Sequence, residues 1–194
     1  MRAKKKAVKA AKEVESADVR FASWFTPLRN RPGMKMFGKA SDIGDQPPLY
    51  AICGGVLAAG VLTGDRHVAK TGLRMLAAHF LAIRMKNAVK RLVDRTRPRA
   101  MADNGRYELR KGRRTDSDFS SFPSGHTASS VAVARAVGRD YADLHDPALG
   151  LAGAVALAQV VRSKHYTSDL VAGAAIGIAA EVLADKWLEK MGEP

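Results

Sequence analysis

Residues 148–183 read ALGLAGAVALAQVVRSKHYTSDLVAGAAIGIAAEVL. Two runs rich in alanine and glycine, Ala148 to Val161 and Leu170 to Leu183, are broken by one short polar turn. Each run is apolar around most of its circumference, as expected of a helix surrounded by other helices or by lipid. The pair therefore predicts two helices joined at one end of a bundle, with His165-Tyr166-Thr167-Ser168-Asp169 at that end. His165 and Asp169 lie four apart, so a helical or turn-like path lets the carboxylate reach one ring nitrogen. Such a contact fixes the tautomer, aims the other nitrogen outward and stabilises a cation formed on attack.

Two further stretches carry matching chemistry. Lys90 and Arg97 are seven residues apart, close to two helical turns, so a helix running through Lys90 turns both cations to one side at its end. Pro98 forces Arg97 out of helical geometry, which puts the cluster where a helix gives way to a loop. Arg91, Arg95 and Arg99 add charge. Phe122-Pro123-Ser124-Gly125-His126 precedes the helix-forming segment Thr127 to Val137. Here proline fixes the entry, serine caps, and glycine lets a ligand approach the backbone. The free amides at that helix start, aided by the helix dipole, form an anion seat.

Each stretch alone has an ordinary structural reading: a solvated basic helix end, an N-cap with a first-turn histidine, a surface ion pair. Together they supply cations, amide donors, two imidazoles and a carboxylate, which is the inventory for phosphoryl transfer through a covalent histidine intermediate.

Lys-x6-Arg-Pro, Pro-Ser-Gly-His and His-x3-Asp, in this order and separated by these helices, resemble the type 2 phosphatidic acid phosphatase superfamily. That group includes membrane lipid-phosphate phosphatases, soluble bacterial acid phosphatases and vanadium haloperoxidases. The likeness runs from about Leu73 to Gly177. It implies that His165 is the nucleophile and Asp169 its orienting partner, with His126 as general acid and then base. It implies equally that Lys90, Arg97, Ser124 and the amide of Gly125 hold the non-bridging oxygens, and that no cofactor or metal is needed. One position departs from the pattern: the arginine expected six residues before the nucleophile is Gln159. An amide cannot neutralise transition-state charge, a loss of about 2 to 4 kcal/mol if nothing replaces it. Arg162, three residues on along the same helix, is the expected substitute, and Lys164 is a second candidate with the character of a solvated charge.

The chain has 194 residues, enough for one domain with a buried core. Small residues recur along the apolar runs at Gly54, Gly55, Gly60, Gly150, Gly153, Gly173 and Gly177, a pattern suited to close helix packing in a bilayer. Its single cysteine, Cys53, excludes an internal disulfide. No cleavable apolar core follows the basic start, so no secretory signal is expected. Helices are expected over roughly 4–16, 48–63, 68–93, 125–140, 147–163 and 167–190, by hydrophobic periodicity and capping. The fold class is all-α: a membrane-embedded bundle of about five apolar helices (residues 48–194) preceded by a basic tail and interfacial segment (residues 1–47) that includes Trp24 and Phe25. The runs are shorter than the roughly 20 residues of a full span, a gap that snorkelling or local thinning can close. The long loop from Asp94 to Phe122 joins the first two motifs and is expected to cover the site or admit substrate.

Charge bears on orientation. Residues 1–40 hold eleven Lys/Arg against three acids and residues 90–118 ten against five, whereas Arg139 to Asp146 holds one against three. With five crossings the tail and the site share one side, which the positive-inside rule makes cytoplasmic. The family resemblance implies the opposite, extracytoplasmic face, and the sequence leaves the face open. The expected location is the bacterial inner membrane. Lys4, Lys5, Lys6, Lys9 and Lys12 lack aromatic interleaving, so they point to anionic lipid headgroups rather than nucleic acid.

The expected function is hydrolysis of a phosphate monoester or diphosphate on a lipid or polyprenyl carrier. The alternatives are a vanadate-dependent peroxidase and a lipid-phosphate binder weakened by Gln159. Expected partners are that substrate, the membrane and a second copy of the chain in a homo-oligomer.

Overall fold

The computed structural model describes residues 2–112 and 116–192, with the side chains of residues 2–5, 7, 8 and 11 outside that description. Lys4 and Lys5 of the basic tail therefore fall outside the described side chains, and Arg113 and Arg114 of the site loop outside the described residues.

The chain opens with helices α1 (Arg2–Phe25) and α2 (Pro32–Ala40), separated by the 3-10 turn Thr26–Asn30 and followed by another, Ser41–Gly44. Helices α3 (Gln46–Thr63) and α4 (Arg66–Lys90) come next. The long loop then carries strand β1 (Val93–Arg95), the short helix α5 (Pro98–Asn104) and strand β2 (Leu109–Lys111). Helices α6 (Gly125–Asp140), α7 (His145–Val161) and α8 (Thr167–Lys190) complete the bundle. The fold is all-α apart from the two-stranded antiparallel β1–β2 ladder, in which Asp94 faces Arg110.

Local chemistry sets the helix ends. Gly64 takes the left-handed conformation (φ 72°) that closes α3, and Asp65 caps α4 by accepting from the amides of His67 and Val68 at 3.0 and 3.1 Å. A two-residue connection results, and it forces α3 and α4 side by side. Gly60 and Gly72 sit where a Cβ would strike the backbone of Ala69 and Leu57, so these two helices touch main chain to main chain. Gly173 and Gly177 do the same for α8 against α6: an added Cβ would lie 2.6 Å from the Ser124 carbonyl and 2.5 Å from that of Ala128. The small-residue reading holds for these positions only. Gly54, Gly55, Gly150 and Gly153 have open space where a side chain would go.

The core is unusually small-grained, with Ala78, Ala82, Ala128, Ala132, Ala136, Ala158, Ala180 and Ala184 all fully or almost fully buried. At the end away from the His165 turn, charges do the joining. Arg74 on α4 pairs with Asp140 on α6 and, at 2.9 Å, with Asp185 on α8. Glu181 on α8 receives Arg135 at 3.0 Å and Arg139 at 2.6 Å. Among the described residues, three stretches are long and apolar enough to cross a membrane: Gln46–Thr63, Ala142–Val161 and Thr167–Lys190. Of the remaining two bundle helices, α4 carries six Lys/Arg along its length, with Arg74 and Lys86 buried, and α6 is only 16 residues long, so neither reaches that mark.

The expected helix running on to residue 93 ends instead at Lys90, because the chain turns into β1 to pair with β2. Lys90 and Arg97 are therefore not two turns apart on one helix. Arg97 is the extended N-cap residue of α5, as its neighbour Pro98 demands, and it is brought back by the loop. The amide of Arg97 donates to the Asp118 carbonyl at 2.7 Å, and that of Ser121 to the Arg95 carbonyl at 3.0 Å.

Substituting Gly173 by valine overpacks the α6–α8 contact directly beneath Ser124. A loss of about 1 to 3 kcal/mol is expected. Thermal unfolding of the detergent-solubilised variant should show it.

Candidate active site

The polar turn between α7 and α8 is held by α7 itself. The amides of Lys164 and His165 both donate to the Gln159 carbonyl, at 3.0 and 3.3 Å, and Ser163 takes a positive φ of 52°. The turn directs His165 inward, where it is 3% exposed. Its Nδ1 lies 2.6 Å from the Ser121 carbonyl. A carbonyl only accepts, so Nδ1 carries the proton and Nε2 keeps its lone pair. Asp169 is 3.6 Å from the same nitrogen, near enough to favour positive charge on the ring but beyond a hydrogen bond. The tautomer is thus set by a main-chain oxygen, a partner that no side-chain motif announces. Burial pushes the His165 value down from 6.5 to about 4, with Asp169 working against that and Arg97 and Lys90 adding to it.

Asp169 is fully buried and its partners are other groups. Oδ2 accepts from the Ser121 hydroxyl at 2.5 Å and the Tyr166 amide at 2.8 Å, and Oδ1 accepts from Arg95 Nη1 at 2.6 Å. The Asp169 carbonyl also receives the Ser124 amide at 3.0 Å, which locks the start of α6 to the first turn of α8.

His165 and His126 line one pocket of about 260 Å³, together with Lys86, Lys90, Arg97, Gly125, Lys164 and the rim residues Gly44, Asp45 and Gln46. Lys90 donates to the Ser120 carbonyl at 2.5 Å, and Arg97 Nε to the Ser117 carbonyl at 2.7 Å. Burial and then Arg99 push the Arg97 value below its ordinary range. Burial followed by Arg162 does the same to Lys164. Desolvated cations facing one cavity are costly until an anion enters.

Two expected phosphate ligands lie elsewhere. Ser124 is fully buried and its hydroxyl caps α6, accepting from the Thr127 hydroxyl at 3.0 Å, so it shapes the anion seat without lining the pocket. Arg162 is taken by the N-terminal segment: its Nη1 donates to the Gly38 carbonyl at 2.7 Å and to the Asp42 carboxylate. Glycine at 38 makes room for this, since a Cβ there would lie 2.9 Å from Arg162 Cδ. Gln159 is fully buried, donating to the Ser41 hydroxyl at 3.2 Å and the Val155 carbonyl at 3.1 Å. Neither fills the missing arginine's place.

Lys86 and Lys164 stand in the pocket instead. Lys86 sits one turn before Lys90 on α4 and is 7% exposed. The four-residue spacing was the available signal for it, since i and i+4 share a helix face. Asp45 was not visible from any motif. Its Oδ1 lies 2.9 Å from His126 Nε2. Asp42, Asp45 and His126 offer ligand atoms within 4.8 Å of one another, the described residues' one such trio. Asp42 already faces Arg162 and Asp45 faces His126, so both carboxylates of the trio have partners within the protein.

A family model of the PAP2 superfamily matches residues 71–192, which takes in all three motifs, and the chain belongs to that superfamily. Among solved structures the fold is similar to a transmembrane PAP2-type phosphatidylglycerolphosphate phosphatase from Bacillus subtilis, with a TM-score of 0.62 and 19% identity over 92% of this chain and 87% of that one. It is also similar to Aquifex aeolicus LpxE, with a TM-score of 0.56 and 18% identity over 84% of this chain and 93% of that one. Among curated proteins, none matches the chain.

Because the folded value of His165 lies below its ordinary one, the neutral ring contributes stability that is complete above pH 6.5 and is lost as pH falls towards 4. Thermal unfolding across that window should show wild type losing stability relative to His165→Gln, which has no such proton to bind. Identical pH profiles would count against a buried neutral imidazole.

Proposed function

We propose that the chain is an integral membrane phosphatase that cleaves a phosphate ester or diphosphate from a lipid or polyprenyl carrier through a phosphohistidine on His165. The observation that carries this reading is the shared pocket: two imidazoles and four cations face one cavity, and the Ser121 carbonyl leaves His165 Nε2 unprotonated. Nε2 attacks phosphorus in line, the bond to the leaving oxygen breaks, and His126 gives that oxygen its proton. His126 then takes a proton from water, whose oxygen attacks phosphorus and releases His165 with inorganic phosphate. Lys86, Lys90, Arg97 and Lys164 with the Gly125 amide offset the charge on the non-bridging oxygens. In this reading Lys86 and Lys164 do the work of the missing arginine, and no metal takes part.

Two features favour a lipid. An apolar groove of about 190 Å³ between α3, α6 and α7 is walled by Ile43, Leu49, Ile52, Val133, Ala148 and Leu151. Gly44 lines both this groove and the phosphate pocket, so a chain attached to a bound phosphate has an apolar path away from it. On α1, Phe21 and Trp24 are exposed beside one another with ring centres 6.0 Å apart, an arrangement suited to the membrane interface. The bacterial inner membrane is the proposed setting.

Phosphate release from detergent-solubilised phosphatidic acid should survive chelator, be inhibited by vanadate and vanish in His165→Ala. Lys86→Ala and Lys164→Ala should each lower kcat/KM by about tenfold or more. A wild type that retains lipid phosphates yet releases nothing is a binder. Halide oxidation dependent on vanadate would instead mark a peroxidase.

Ala148→Trp narrows the apolar groove without touching the phosphate pocket. It should raise KM for a long-chain lipid phosphate while leaving hydrolysis of p-nitrophenyl phosphate near the wild-type rate, as parallel assays would show.

A further inference from the structure

Arg95 falls inside the first motif at a position that the motif leaves unspecified, yet its guanidinium is heavily engaged near the site. It is 2% exposed. Nη1 donates to Asp169 Oδ1 at 2.6 Å and to the Ser168 hydroxyl at 2.7 Å, Nη2 donates to Asp18 Oδ2 at 2.9 Å, and Nε donates to the Tyr107 hydroxyl at 3.2 Å. Its plane lies over the Tyr166 ring, 4.2 Å from the centroid. Asp18, on α1, is itself buried and also accepts the Ser168 amide at 3.1 Å and the Ser168 hydroxyl. One carboxylate from the N-terminal helix thus caps α8 from outside and grips the arginine that grips Asp169.

We propose that Arg95 and Asp18 are positioning residues for the nucleophile, holding Asp169 and through it His165 in attacking geometry. This rests on the phosphatase reading given above. Asp169 Oδ1 has Arg95 as its partner, whereas Oδ2 is shared by Ser121 and Tyr166. Without the guanidinium, the fully buried carboxylate loses the contact that sets its rotation. Charge argues the same way. Asp18 and Asp169 bring two negative charges and Arg95 one positive, so the cluster stands at minus one beside a neutral His165. When Nε2 bonds to phosphorus the ring becomes cationic, and the cluster is then balanced. An arginine that let go of Asp18 would neutralise Asp169 fully and leave less charge for the ring. Asp18 therefore does more than anchor α1. It occupies half of Arg95, so that Asp169 keeps part of its field for His165.

The test uses the full-length, detergent-solubilised protein with phosphatidic acid as substrate. Asp18→Asn and Arg95→Met should each lower kcat by about tenfold to a hundredfold with little change in KM, the effect of disturbing a group that orients a reacting one. Arg95→Lys should recover part of the rate. The deciding arm is coupling: in an Asp169→Ala background, Arg95→Met should cost nothing further, because its route to His165 has gone. A role confined to folding predicts an added loss there instead. If Arg95→Met fails to fold, the isosteric Asp18→Asn carries the same comparison. Wild-type kcat in Asp18→Asn, or full additivity with Asp169→Ala, overturns the inference while the phosphatase reading stands. A wild type that releases no phosphate overturns both.

Discussion

The site depends on the hydrogen bonds of Asp169. Its side chain takes the Ser121 hydroxyl and Arg95, and its carbonyl takes the Ser124 amide, so one residue on α8 ties down the α6 start and the β1 strand. Ser121 then presents its own carbonyl to His165. Three stretches far apart in sequence are joined by groups that are all buried, where an unmade hydrogen bond is expensive and a made one is correspondingly directional. The aspartate that an i,i+4 argument assigns to the imidazole serves the architecture first, and it reaches the ring through its field and through Ser121.

That arrangement explains how a bundle with such small core residues holds a precise pole. Alanine and glycine side chains contribute little area each, so cohesion comes from backbone proximity at Gly60, Gly72, Gly173 and Gly177, and from ion pairs. The two poles differ in kind. At the far end Arg74, Arg135 and Arg139 meet Asp140, Glu181 and Asp185, three charges of each sign. At the His165 pole, Lys86, Lys90, Arg97 and Lys164 line a cavity whose one acidic lining residue among those described is Asp45. The balanced end is fixed by its own partners. The other end carries more basic than acidic side chains around its cavity.

Much of this was legible beforehand because it is written in local patterns. The hairpin of apolar runs on either side of His165, the Ser124 cap and the break at Pro98 follow from periodicity and backbone chemistry within a few residues. The failures are all long-range. Seven-residue spacing turns Lys90 and Arg97 to one side of a helix end, whereas they meet because the chain after Lys90 forms a β ladder and folds back. Arg162 has the right length and register to reach a phosphate, but Gly38 and Asp42, more than a hundred residues earlier, claim it. Nothing local distinguishes an arginine that faces a pocket from one that faces another segment. Lys86 is a different case, since its i,i+4 relation to Lys90 was present in the sequence and only the wider motif spacing drew attention away from it.

The lost arginine shows how the constraint is redistributed. An arginine offers two parallel donors in a fixed plane, so it orients a phosphate as well as neutralising it. In the proposed mechanism two lysines from different elements, Lys86 on α4 and Lys164 in the turn before His165, supply the charge as two separate points. Points on flexible stems do not impose a plane, so orientation must come from the rest of the pocket: the Gly125 amide, Arg97 held by the Ser117 carbonyl, and the fixed direction of His165. In the proposed mechanism this places more of the geometric demand on His165 than in a site that retains the arginine. A buried scaffold of Ser121, Asp169, Arg95 and Asp18 around one imidazole is the arrangement that meets it.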